Sequence, residues 1–184
     1  VAAFLFLSAA AHLTLTVPAV ERWYRTHLEA GRNYARWIEY SLSASVMVVL
    51  IAMITGISDV AALTALFGVN AAMIFFGLVQ ERYERPGGSL LPFWLGSLVG
   101  IVPWIAIGIY LWAPGASAEP PGFVYGIYVS LFLFFNVFAL NQWLQYRLKG
   151  RWRSYLVGER TYMILSLTAK SALAWQVFAS TLAG

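Results

Sequence analysis

Six long apolar runs alternate with short polar connections along the chain. They cover residues 1–20, 36–57, 60–79, 90–112, 123–146 and 161–184. Each approaches or exceeds the roughly 20 residues that a helix needs to cross the hydrocarbon of a bilayer. The pattern predicts an all-α transmembrane bundle of six helices in one domain, 1–184, with no separate soluble domain and no fixed-period repeat. Turn formers punctuate it at Pro86-Gly87-Gly88, at Pro114-Gly115 and at Pro120-Pro121-Gly122.

Composition strengthens this. Hydrophobic residues make up 60% of the chain and charged residues 11%, against roughly a quarter charged in a soluble domain. A soluble fold would leave large apolar patches in water, whereas lipid absorbs them. There is no cysteine, so neither a disulfide framework nor a thiolate metal site is available. The chain starts at Val1, already inside an apolar run and without the shape of a signal peptide. The expectation is an N-terminus lying upstream.

Charge adds an orientation. Arg22, Arg25, Arg32 and Arg36 follow the first run, Arg82 and Arg85 the third, and Arg147, Lys149, Arg151, Arg153 and Arg160 the fifth. The connections around Asp59 and Glu119 hold no Lys or Arg. Basic connections stay in the cytosol, so both chain ends are expected outside. The basic stretch 147–153 reads as topology plus lipid headgroups in preference to a docking site for protein or nucleic acid.

The remaining cation, Lys170, lies inside the last run, ten residues beyond Arg160. A charge at that depth costs several kcal/mol, so intramembrane ionisable groups mark functional sites. His12 and Glu39 are the others; Asp59 and Glu81 fall at run ends. A buried lysine becomes tolerable by losing its proton, pairing with a carboxylate, or forming a Schiff base. Glu39 is the well-placed anion. Helical spacing puts Ser8 with His12, Glu39 with Ser43 and Met47, and Ser166 with Lys170 on shared faces. These sets outline a small polar cavity around one cation. From the residues alone, a covalent chromophore, a structural ion pair and a transporter coupling site all remain open, and the serines also fit ordinary helix packing.

The stretch Arg36-Trp37-Ile38-Glu39-Tyr40-Ser41, with Ser43 and Met47, resembles the third helix of heliorhodopsins. The stretch 166–178 around Lys170 resembles their seventh, and Ser8-Ala9-Ala10-Ala11-His12 their second. Pro103-Trp104, and Phe135-Asn136 with Gln142, are similar to their fifth and sixth. The resemblance runs over the whole chain, as helices 2–7 of a seven-helix rhodopsin fold whose first helix would precede Val1. It implies all-trans retinal bound covalently to Lys170 as a Schiff base, with Glu39 as counterion. His12, Ser8, Ser43 and Ser166 would form the Schiff-base cavity. Met47, Asn70, Met73, Ile74, Gly77, Pro103, Trp104, Phe135, Asn136, Gln142 and Trp175 would line the retinal pocket. The family also implies an inverted orientation and a homodimer.

The expected function is a light-sensing membrane receptor that perturbs its counterion on illumination and signals through the connection 147–160 to a cytoplasmic partner. The rivals are a light-driven proton transporter and a retinal-free secondary transporter using Lys170 and Glu39. With one mid-membrane carboxylate, the sequence disfavours pumping. No nucleophile–base set or metal cluster suggests an enzyme, and no nucleic-acid partner is expected.

Overall fold

The structure is a computed structural model that describes residues 1–112 and 120–183. Among these residues it contains seven α-helices and no strand. They are α1 (Ala2–Thr14), α2 (Pro18–Glu29), α3 (Tyr34–Ile54), α4 (Val60–Tyr83), α5 (Leu91–Trp112), α6 (Gly122–Tyr146) and α7 (Tyr155–Ala183). A 3₁₀ turn, Gly150–Arg153, precedes α7. Pro114, Gly115 and Glu119, expected in a connection, lie outside the described residues.

The count departs from the expected six because the first run stops as a helix at Thr14 and the basic connection after it is itself helical over 18–29. Pro18 has no N–H to continue a helix and forces Val17 out of the helical region. Val17 is extended, with φ −70° and ψ 125°. The hydroxyls of Thr14 and Thr16 bond back to the Ala10 and Leu13 carbonyls and finish α1. The chain then turns by 91° into α2. α1 alone, with 13 residues, spans about 20 Å, short of the roughly 30 Å hydrocarbon core.

The helices α3, α4, α5 and α6 are each long and apolar enough to cross a membrane, and the bent pair α1–α2 passes the same test when taken as one span. α7 has the length, at 29 residues, but Lys170, Gln176 and its hydroxyl side chains dilute its apolar character. The protein is a helical membrane bundle. Phe6, Leu98, Ile164, Leu167 and Trp175 expose their apolar surface outward, as lipid-facing residues do.

Local chemistry sets the other boundaries. Asn33 caps α3, its side chain accepting from the Arg36 amide at 3.0 Å, so the helix starts before the expected Arg36. It ends at Ile54, followed by Thr55 and by Gly56 at φ +103°, a left-handed position that suits glycine. Asp59 caps α4 through the Ala62 amide at 2.7 Å. α7 begins six residues earlier than expected and carries Glu159 and Arg160 into the helix.

α3 packs between α1 and α4, α4 continues onto α5, and α6 pairs with α7. One core of Met47, Val48, Ile51, Leu66, Trp104, Ile107, Ile127, Leu131 and Leu173 fills the half of the bundle away from the basic end. At the basic end, the Trp152 indole donates to Asn141 at 2.7 Å and ties the α6–α7 connection down.

Candidate functional site

Glu39 sits in the second turn of α3 and Lys170 midway along α7. Lys170 Nζ donates to Glu39 Oε1 at 2.6 Å, and both side chains are 8% exposed. Ser8 of α1 completes the group. Its hydroxyl donates to the same carboxylate oxygen at 2.5 Å and also accepts from Lys170 Nζ. The Tyr40 ring lies beneath the amine, 5.4 Å from it. One cation thus meets one anion, with a hydroxyl bridging them.

Lys170 also lines a cavity of about 180 Å³ between α3, α4, α5, α6 and α7. The walls are aromatic and aliphatic. Trp104 packs edge-on against Tyr128, Phe132 and Phe135, with centroids 5.5, 5.4 and 5.3 Å away. Small residues on α5 bring it close to α4. A Cβ at Gly96 would sit 2.8 Å from Phe76 Cβ, and one at Gly100 2.7 Å from Met73 Sδ. On the α3 side, the Trp37 ring rests directly on Gly77, where any side chain would collide with it.

The sequence-predicted residues divide clearly. Lys170, Glu39 and Ser8 come together. Ser43, Ser166, Met47, Met73, Ile74, Gly77, Trp104, Phe135, Asn136 and Gln142 line the cavity. Ser43 is fully buried and its hydroxyl has no partner. Four residues lie elsewhere. Asn70 is buried between helices, donating to Ser45 at 3.0 Å. Pro103 is buried within α5, and it is its neighbour Trp104 that faces the cavity. Trp175 is 68% exposed, because five residues beyond Lys170 is about 140° around a helix. His12 is exposed on α1, one turn beyond Ser8.

Sequence reasoning missed other wall residues, including Trp37, Tyr40, Tyr162, Phe93 and Phe132. Their signal was present. Tyr40 and Ala44 share the face of Ser43 and Met47, and Tyr162 precedes Ser166 and Lys170 by one and two turns.

It also missed a second buried ionic group at the basic end. Arg36 Nη2 lies 2.7 Å from Glu81 and 3.0 Å from Glu159, with all three side chains 5–6% exposed. The guanidinium is sandwiched between the Trp37 and Tyr162 rings, 4.1 and 4.0 Å from their centroids, as cation–π geometry favours. Glu81 also accepts from the Trp37 indole at 2.5 Å, the Asn33 amide at 2.9 Å and the Tyr155 hydroxyl at 3.0 Å. The Asn33 side chain donates to Glu159 at 2.7 Å. Arg36 read as a loop cation and Glu81 as a run end, because their pairing crosses 45 residues of sequence.

The model of the family described as Heliorhodopsin matches residues 1–182 of the chain. No curated protein matches it.

Proposed function

Taking as premise that the chain belongs to the heliorhodopsin family, we propose that it is a light-sensing membrane receptor with all-trans retinal held on Lys170. The family implies a retinal chromophore and a rhodopsin-type photoreceptor in general terms. The observation that carries the finer reading is the buried Lys170 amine, paired to Glu39, on a residue that lines an aromatic cavity. The residues suit the group: a primary amine for the aldehyde, an anion for the resulting cation, and Met, Trp and Phe walls for a polyene. Retinal joined to Lys170 Nζ would supply absorption of visible light and a change of shape on illumination.

The chain's own residues then do the following. Glu39 holds the positive charge at Nζ in place, since an uncompensated buried charge costs several kcal/mol. Ser8 fixes the orientation of the carboxylate. Ser43, with its unpartnered hydroxyl, offers a second acceptor when the charge at Nζ moves. Trp104, Met47 and Phe135 keep water away and restrict the space. The basic end faces the cytosol, the 147–160 connection is the signalling surface, and two copies pair as a homodimer in the cell membrane.

Addition of all-trans retinal to the protein in vesicles should give a visible absorption band that hydroxylamine bleaches. Lys170→Ala should abolish it. Glu39→Gln should shift its colour, with the coloured form lost at lower pH than in the parent. A colourless protein, or colour that survives Lys170→Ala, sinks the reading.

A light-driven proton transporter is the second reading. The buried carboxylates Glu81 and Glu159 favour it, because they supply acidic groups at the basic end that the sequence did not reveal. Light-driven acidification or alkalinisation of unbuffered vesicles would support it, and constant pH would exclude it.

A further inference from the structure

The second ionic group holds two carboxylates and one guanidinium, all nearly out of contact with solvent. With every group ionised it would carry a net charge of −1. An uncompensated charge away from water costs several kcal/mol, and a carboxyl escapes that cost by keeping its proton. The bonding pattern indicates which one keeps it. Glu81 accepts from four donors, namely Arg36, Trp37, the Asn33 amide and Tyr155. Such a carboxylate is stabilised in its ionised form. Glu159 receives a hydrogen bond from the Asn33 side chain at Oε2 and shares with Glu81 the Tyr155 hydroxyl, which donates to Glu81 at 3.0 Å. Its Oε1 lies near Arg36 but makes no oriented hydrogen bond. The other ionisable groups that interact with the pair include the phenols of Tyr24, Tyr40, Tyr146, Tyr155 and Tyr162, none of which adds a second cation.

We propose that Glu159 is a proton-binding site, carrying a proton in the resting protein while Glu81 is the ionised partner of Arg36, and that Trp37 links this proton to the cavity. Trp37 belongs to both places. Its ring walls the cavity against Gly77 and its indole N–H holds Glu81. When the ring is displaced, Glu81 loses one of its four donors and its charge is held less firmly. The acid on Glu159 then sits in a changed field, while the group keeps its proton and its total charge. Trp37 is here a positioning residue. The link rests on the retinal reading above, whereas the resting proton does not.

Infrared absorption of the purified protein in vesicles, in the dark at neutral pH and without retinal, tests the proton. The expected result is the C=O stretch of one protonated carboxylic acid per chain, moving to lower frequency in D₂O and absent in Glu159→Gln. Glu159→Asp, which keeps the acid, should retain the band at a shifted frequency. No such band in the parent, or one unchanged by both substitutions, overturns the proposal. In retinal-loaded protein, illumination should shift this band, and Trp37→Phe should keep it in the dark but remove its response to light. An intact visible photoreaction with a silent carboxyl band overturns the link through Trp37. A protein that takes up no retinal defeats the photoreceptor reading and leaves the dark measurement to decide the proton.

Discussion

The two buried ionic groups lie on opposite sides of Trp37, Tyr40 and Tyr162 and are built in opposite ways. At Glu39 a single cation and a single carboxylate meet with one hydroxyl, and the next polar side chain, Ser43, has no partner. At Arg36 the cation is stacked between two rings, and its main partner, Glu81, is held by four donors from two helices. The first has little to hold it if its charge moves. The second locks α3, α4 and α7 together. The difference separates a group arranged to be perturbed from one arranged to resist perturbation, and the resistant group sits at the basic end of the bundle.

The largest effect should come from breaking the resistant group. Arg36→Met leaves Glu81 and a second carboxyl buried beside it without a cation, and should cost about 3–5 kcal/mol, seen as a large drop in thermal unfolding temperature in detergent. Lys170→Met should cost clearly less, because it leaves one carboxyl without its cation where Arg36→Met leaves two. Equal losses would erase the distinction.

Gly77→Ala acts on both sides at once. Its methyl meets the Trp37 ring, so the ring must shift or α3 and α4 must part. Overpacking of this kind costs about 1–3 kcal/mol. The visible band of the retinal-loaded protein should move as well. A changed stability with an unchanged band would mean that Trp37 serves only the basic end. The smallest effect belongs to Trp175→Ala, within about 0.5 kcal/mol as for other outward-facing substitutions, with no change of colour.

Much of this architecture was legible in the sequence. The membrane class, the order of the apolar runs and the pairing of Lys170 with Glu39 followed from hydropathy, the charge layout and the price of a lone intramembrane cation. Ser8 and Ser166 followed from spacing on a helix face. Trp175 was misplaced because a resemblance names residues but does not rotate them, and five positions from Lys170 points away from it. The break at Pro18 was written in the chain, yet an apolar run read only by length hides it. Arg36, Glu81 and Glu159 were illegible for a different reason. Arg36 and Glu81 looked like ordinary polar boundary residues and Glu159 drew no reading, and only the packing of three helices turns the boundary into an interior.

Asn33 is where these observations meet. It starts α3 by capping the Arg36 amide, and the same residue grips Glu81 with its backbone and Glu159 with its amide. Glu39 follows six residues later, about 9 Å along the axis. The loop residue therefore works as a datum from which the depth of the counterpart to Lys170 is measured. Lengthening the α2–α3 loop before it should leave that depth untouched, whereas inserting a residue after it should throw the whole alignment out of step.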